Sequence, residues 1–416
     1  MLDIMSPDTA HLDLPDWSPD AAIDWLLSEG RINDSVRDVF DGYMQHLSAG
    51  GMPVERAAIV IRTLHPLIRG WGLRWNRETG TGVEASFYHA SRNAPAYIAS
   101  PIHAIHDNPV RIRRKLVGTE TTDDFPVLSD LRQQGFTDYV ADPLLFSDGS
   151  VSVITFASRK PGGLDDADLR EIDRFSRVLA PVIEAISARR TALSLMETYI
   201  GTRSGRKVLE GQVQRGDGET IDAVVWFNDL RNSTALSEEL PLNRMLALMN
   251  TYFEISALAI QANGGEVLRF VGDAMLGIFP VSDETGGAKA AAERAMIAAF
   301  QARDNVAEAN AERLRGDEPA IEFGIGLHIG QVMYGNVGAP ARLDFSVIGP
   351  AANRAARVES LTKTLGVPLL TSADFARVSP FDLTPLGFHE FKGISEPQEV
   401  FTLPEFAPAA RAEPGP

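Results

Sequence analysis

The chain has 416 residues, a formal net charge of −17 and no cysteine. At about 100–200 residues per domain, this length gives two or three domains, each able to bury a core. Hydrophobic residues at 44% and charged residues at 23% form an ordinary globular balance, which excludes a mainly disordered chain. The missing cysteine excludes disulfides, thiolate zinc sites, iron–sulfur ligation and a cysteine nucleophile, so any metal must be held by oxygen or imidazole. The acidic balance argues against nucleic acid as a partner, because such binding runs on phosphate neutralisation by Lys and Arg. Residues 1–17 are acidic and lack the basic and apolar regions of a signal peptide. No apolar run approaches the ~18 residues of a membrane span. The expectation is a cytoplasmic protein.

In chain order, Ser18-Pro19-Asp20 reads as a helix start, and Gly30 as the stop of that helix. A second helix carries Val36, Phe40, Tyr43 and Leu47 on one stripe, and a third is expected from about Pro53, carrying Ala58, Ile61 and Leu64. Trp71–Trp75 and Val83–Tyr88 are strand-like. Tyr139–Phe146 and Val151–Ala157, joined by Ser147-Asp148-Gly149, form a hairpin. After Pro161-Gly162-Gly163 a long helix keeps Leu169, Ile172, Phe175, Leu179, Val182, Ile183 and Ile186 on one face. It continues through Leu193, Met196 and Tyr199 and is expected to link two domains. The basic run Arg111–Lys115 reads as a solvated helix face, with an anionic ligand as the alternative. His103 and His106 are either ordinary histidines or ligands of a metal or haem.

Beyond the polar stretch Gly211–Glu219 the texture changes. A strand (Ala223–Phe227), a helix (about Leu242–Asn263), a hairpin (Glu266–Phe279), an Ala-rich helix (about Ala288–Leu314) and a strand (Ile321–Ile329) follow one another. Two shorter strands flank Gly338-Ala339-Pro340, and a helix runs over about Ala351–Leu365. This β-α-β-β-α-β order is that of a ferredoxin-like α+β sheet with helices on one face. Asp229 follows its strand directly, and Asp273 sits in the turn Val271-Gly272-Asp273-Ala274. If the strands are neighbours, both carboxylates reach one sheet edge and suit Mg²⁺ or Mn²⁺ held together with substrate phosphates; the other reading is that Asp is simply common in turns. The turn after Asp229, Leu230-Arg231-Asn232-Ser233-Thr234, leads into a helix whose backbone N–H groups could take a phosphate. Asn353 and Arg357 are one helical turn apart and share a face. Arginine can fork onto phosphoryl oxygens, and asparagine can orient a ribose.

These residues carry a resemblance. FNDLRNSTALSE at 227–238, GGEVLRFVGDAMLGIFP at 264–280 and RLDFSVIGPAANRAARVESL at 342–361 resemble the successive signatures of class III nucleotidyl cyclase catalytic domains. The resemblance covers about Ile221–Leu403. It implies a homodimer with catalytic sites at the subunit interface and two metal ions per site, Mg²⁺ or Mn²⁺, bound by Asp229 and Asp273. It further implies attack of the ribose 3′-oxygen on the α-phosphate of ATP, expelling pyrophosphate and giving 3′,5′-cyclic AMP. Arg357 would come from the partner subunit and stabilise charge on the α-phosphoryl group, with Asn353 on the ribose. Leu230 and Thr234, in the phosphate-facing turn, would belong to the substrate site, and Lys392 would meet the β- and γ-phosphates.

Base choice is where the chain departs from that family's pattern. Adenylate cyclases usually place Lys four residues before the second metal aspartate, where this chain has Arg269. Their usual Asp or Thr three residues before the glycine matching Gly349 is Ser346 here. Arg269 donates and cannot accept, so ATP is favoured over GTP. The alternatives are a guanylate or mixed-specificity cyclase, or a degenerate nucleotide-binding signalling protein. Asn232-Ser233 also replaces a Gly-Phe pair common in the family, at a turn whose left-handed backbone asparagine tolerates. In the first half, TDYVADPLLFSDGSVSVITFASRKPGGLDDADL at 137–169 resembles a GAF-type sensory domain, implying a small-molecule ligand coupled to the cyclase; a dimerisation scaffold without ligand is the other reading. The expected organisation is a helical segment over 1–69, a mixed α/β GAF-like regulatory domain over 70–190, a helical linker over 191–220, a cyclase domain over 221–405 and a tail over 406–416.

Overall fold

The computed structural model describes residues 17–81, 84–118 and 124–408. Val83, the first sixteen residues and the chain beyond Pro408, all touched by the sequence reading, lie outside them. The chain divides into two compact units, Met1–Leu195 and Met196–Pro416.

The first unit runs α1 (Asp20–Ser28), α2 (Val36–Ala49), β1 (Arg56–Arg62), β2 (Ile68–Asn76), β3 (Gly80–Thr81), β4 (Ala85–Tyr88), α3 (Pro95–Ile98), α4 (Pro101–Asp107), β5 (Ile112–Lys115), α5 (Pro126–Gln133), β6 (Asp138–Leu145), β7 (Val151–Ser158) and α6 (Asp166–Ile200). Its antiparallel sheet has the order β3-β2-β1-β7-β6-β5, with β4 on β2. The Ser35 hydroxyl caps α2 by accepting from the Asp38 N–H at 3.2 Å. The stripe Val36, Phe40, Tyr43 and Leu47 is buried as its spacing predicts. The expected third helix is instead strand β1. Ala57, Ile59 and Ile61 point inward with a period of two, and Leu64, needed for the helical stripe, is exposed. Consecutive β-branched residues, Ile59-Val60-Ile61, favour the strand. The hairpin forms as expected, with Leu145 opposite Val151.

The basic run is also a strand rather than a helix face. Arg111 forks onto Asp142, Arg113 pairs with the fully buried Asp138, and Arg114 pairs with Asp124. The desolvated carboxylates Asp138 and Asp142 on β6 need Arg113 and Arg111 as counter-charges. His103 and His106 belong to an aromatic stack. Tyr97 stacks on His103 at 5.0 Å and its hydroxyl meets His106 Nδ1 at 2.9 Å, while Arg69 covers the Tyr97 ring. Burial, then the nearby Arg62 and Arg69, lowers the His106 pKa to about 4, so the ring stays neutral at ordinary pH.

The second unit runs α7 (Thr202–Leu209), β8 (Gly218–Leu230), α8 (Ser233–Glu239), α9 (Leu242–Ala262), β9 (Glu266–Val271), β10 (Ala274–Pro280), α10 (Gly287–Arg315), β11 (Phe323–Ala339), β12 (Arg342–Ile348), α11 (Pro350–Leu365), β13 (Leu369–Ser372), α12 (Ala373–Ala376), β14 (Thr384–His389) and β15 (Gln398–Thr402). The sheet order is β14-β15-β13-β11-β8-β10-β9, with β12 on β11. The strand expected over Ile321–Ile329 and the one before Gly338 are a single 17-residue strand, β11.

Helices α9 and α10 cover one face, where Trp226, Phe279, Ile325 and Leu327 meet Leu248, Tyr252 and the alanines of α10. Helix α11 lies on the opposite face, against glycines. A Cβ on Gly326 would sit 2.3 Å from the Glu359 backbone N, and one on Gly324 would sit 2.2 Å from Thr362 Oγ1. The pattern Gly324-x-Gly326-x-x-x-Gly330 therefore lets the α11 backbone lie directly on β11.

Candidate active site

Asp229, the penultimate residue of β8, lies in register between Ala274 on β10 and Gly324 on β11. Asp273 occupies the β9–β10 turn, where Gly272 has φ +64°, a conformation glycine adopts without a Cβ penalty. The Leu230 N–H donates to the Asp273 carbonyl at 3.3 Å and closes this turn against the end of β8. Pairing thus brings together the two carboxylates that the sequence separates widely. Their proximity has an electrostatic signature: burial, with the charge of Asp273, raises the Asp229 carboxyl above its ordinary range, while a hydrogen bond from Lys363 opposes that shift. Lys363 Nζ lies 2.8 Å from Asp229 Oδ2. Glu359, one turn earlier on α11 and 3% exposed, is pushed up to about 7 by burial and by the charge of Asp229.

Two carboxylates in mutual repulsion, half-removed from water, form a centre that demands a cation, and carboxylate oxygens are hard donors. Among the described residues no group of three or more His, Cys, Asp or Glu gathers around a common point. Asp229 and Asp273 are the two carboxylates brought together at this sheet edge, and oxygen donors of this kind match hard divalent cations.

The turn leaving Asp229 takes the backbone that the sequence reading required. Asn232 is left-handed, at φ 57° and ψ 21°, and precedes α8. Leu230 is buried and Thr234 is exposed in the first turn of α8. Asn353 and Arg357 are both exposed on α11, one turn apart. Within this single chain no hydrogen bond or ion pair among the described residues joins them to Asp229 or Asp273. Instead, Lys363 of the same helix bonds the chain's own Asp229, and Glu359 lies near enough to be shifted by its charge. Lys392 is exposed in the connection between β14 and β15, the two strands farthest from β9.

The two positions expected from the sequence to read the base, Arg269 and Ser346, separate in the structure. Arg269 on β9 is bonded through Nη2 to Asp344 Oδ2 of β12 at 2.5 Å. Both line a cavity of about 630 Å³ with Leu268, Phe270 and Phe345. Ser346 is not part of that lining; it is 3% exposed and its hydroxyl has no hydrogen-bond partner.

Sequence reasoning missed Glu359, Lys363 and Asp344. The first two form an i, i+4 acid–base pair on the helix of Asn353 and Arg357, a spacing that places them on one face. Asp344 is the residue that shares a strand face with Ser346, two positions away.

The family model of the adenylate and guanylate cyclase catalytic domain matches residues 218–404. An uncharacterized protein of Mycobacterium tuberculosis (strain ATCC 25618 / H37Rv) is 32% identical over 213 residues, covering 51% of this chain and 38% of its own length. An adenylate cyclase of Anabaena cylindrica is 32% identical over 166 residues, covering 40% of this chain and 32% of its own length. The chain thus spans less than half the length of these curated relatives. A solved bacterial light-regulated adenylyl cyclase is 30% identical, covering 45% of this chain and 93% of that one, with a TM-score of 0.38. Residues 218–404 of this chain belong to the adenylate and guanylate cyclase catalytic domain family.

Proposed function

We propose that the chain is an adenylate cyclase, converting ATP to 3′,5′-cyclic AMP and pyrophosphate at sites shared between two copies and regulated by its first unit. The observation that carries this reading is the division of labour on α11. Lys363 bonds the chain's own Asp229 and Glu359 lies beside it, while Asn353 and Arg357 are exposed and, among the described residues, their side chains have no hydrogen-bond or ion-pair partner in a single copy. A second copy presenting its Asp229 and Asp273 would complete the set.

In that assembly Asp229 and Asp273 would hold Mg²⁺ or Mn²⁺. Such ions supply a lowered pKa for the ribose 3′-hydroxyl and a clamp on the triphosphate. The chain's own groups do the remainder. Arg357 lays its fixed charge on the α-phosphoryl oxygens as the 3′-oxygen attacks in line and pyrophosphate leaves, and Asn353 fixes the ribose. The backbone N–H groups of the Asn232 turn face the phosphates, and docking of the second copy excludes water. Lys392 is assigned to the β- and γ-phosphates. Arg269 favours adenine because it donates and does not accept.

For the first unit we propose a GAF-like regulatory domain with a small-molecule ligand. A sheet packed by helices on both faces and the 35-residue α6 that leads from it toward the catalytic unit support this. No helix among the described residues is long and apolar enough to cross a membrane; we place the enzyme in the cytoplasm with its nucleotide.

The shared-site reading is tested by mixing an Asp229→Ala chain with an Arg357→Ala chain. Each alone should lose about 10²–10³-fold or more in turnover, as for removal of one preorganised charge partner. The mixture should recover part of the activity, since one site of each heterodimer keeps both groups. No recovery from demonstrated heterodimers would refute it.

A further inference from the structure

The cavity beside β9 and β12 contains an acceptor that the signature comparison did not supply. The family's usual acceptor position is Ser346, yet Ser346 is enclosed, unpartnered and outside the cavity lining. Asp344 lies two residues earlier on the same strand, half-exposed, and lines the cavity with Arg269.

We propose that Asp344 is a specificity-determining residue, which together with Arg269 forms the pair that reads the purine base. The proposal deepens the adenylate reading and rests on it. Asp344 Oδ2 is bonded to Arg269 Nη2, so one oxygen fixes the guanidinium while Oδ1 remains free to accept. The two groups then present a donor and an acceptor side by side. Adenine offers the complement on its Watson–Crick edge, the N1 acceptor beside the 6-amino donor. With Arg269 set opposite N1 and Asp344 opposite the 6-position, guanine, with a donor at N1 and an acceptor at O6, meets the pair with like groups opposed.

The surroundings suit a flat ring. Leu268, Phe270 and Phe345 line the same cavity, whose volume of about 630 Å³ falls within the usual range for a small-molecule site. Asp344 has a second, positioning effect. A free arginine samples many rotamers, whereas one bonded to a carboxylate on the neighbouring strand is preorganised. Arg269 replaces the family's shorter-headed lysine, and the longer, forked side chain reaches the carboxylate at 344 in this structure.

The test uses the full chain with Mn²⁺. Initial rates are measured with ATP and with GTP, and equilibrium binding of each is measured by displacement of a fluorescent methylanthraniloyl-ATP. Asp344→Asn should raise KM for ATP about tenfold with kcat changed less than threefold. It should also reduce the ATP-over-GTP preference in binding at least tenfold. Asp344→Glu, which keeps the acceptor and the charge, should retain most of that preference. A purely structural residue would lower kcat for both nucleotides together and leave the binding preference intact. An unchanged ATP-over-GTP binding ratio in folded Asp344→Asn and in Asp344→Ser overturns the proposal. Because binding is read apart from turnover, a wild-type chain that discriminates between the nucleotides yet makes no cyclic product would refute the cyclase reading and leave the base-reading pair standing.

Discussion

Replacing Gly326 with alanine puts a methyl carbon 2.3 Å from the Glu359 backbone N, 2.6 Å from the Ala355 carbonyl O and 2.7 Å from the Glu359 Cα. All three are backbone atoms of α11, so no side-chain rotation relieves the clash. An ordinary contact begins at 3.4 Å, and the helix must therefore withdraw from β11 by roughly 1 Å, a displacement of the size known to cost about 10²-fold in rate when it reaches a catalytic group. Overpacking of this kind costs about 1–3 kcal/mol in stability, which leaves a folded domain. Helix α11 carries the exposed Asn353 and Arg357, the buried Glu359, and Lys363, which reaches Asp229 at the surface, so its displacement disturbs both sets of groups. Gly326→Ala should consequently lose about 10²-fold in cyclic nucleotide formation while its thermal unfolding midpoint falls by about 2–12 °C. Turnover within threefold of wild type in the folded variant would show that α11 does not set the catalytic geometry.

Removing the resident ammonium from Asp229 should tighten cation binding. Lys363→Met should increase Mn²⁺ affinity about two- to fivefold by calorimetry without nucleotide, the gain expected when a half-exposed ion pair ceases to compete; weaker binding would show that Lys363 orients Asp229 instead. Buried His328 gives a pH signature. Its Nδ1 meets Ser372 Oγ at 2.7 Å, and burial lowers its pKa to about 4. The unfolded chain binds the proton first, so stability is full above about 6.5 and is lost as pH falls toward 4. His328→Asn should remove about 2 kcal/mol of the stability difference between pH 7 and pH 5 in denaturant titrations; equal slopes for variant and wild type would refute it. The buried carboxylate Glu266 accepts from the Ser204 N–H and hydroxyl and from the Tyr334 hydroxyl, tying α7 to the strand of Arg269. Glu266→Gln should lower the unfolding midpoint, since it leaves a buried network partly unpaired, and an unchanged midpoint would contradict that role.

Local signals carried the catalytic half. Asp229 and Asp273 could be placed at one edge because a strand end and a tight hairpin turn both fix where a carboxylate emerges, and the ordered signatures then named the family. Asn232 could be read as left-handed because few residues accept that backbone. What remained hidden depended on partners distant in the chain. The glycines at 324, 326 and 330 look like weak points of a strand until α11 is laid on them. Lys363 looks like a solvated helix residue until Asp229 is found opposite it. Ser346 is enclosed while Asp344, two residues earlier on the same strand face, is half-exposed and bonded to Arg269, a contrast set by contacts distant in the chain that no local pattern records. In the first unit, β1 was misread because Ala58, Ile61 and Leu64 happen to repeat every three residues within a run whose true period is two. The basic run at 111–115 reads as a helix face in the sequence because the partners of Arg113 and Arg111, Asp138 and Asp142, lie on the neighbouring strand β6.

The central claim is that this acidic chain, through two carboxylates and an outward-facing arginine, cyclises ATP. The most direct measurement is product analysis of the purified full chain incubated with Mn²⁺ or Mg²⁺ and either ATP or GTP. ATP should give 3′,5′-cyclic AMP and an equal amount of pyrophosphate, and Asp273→Ala should abolish both in a protein that remains folded. Cyclic GMP as the main product would contradict the adenylate assignment, and no cyclic nucleotide from either substrate would contradict the enzyme itself.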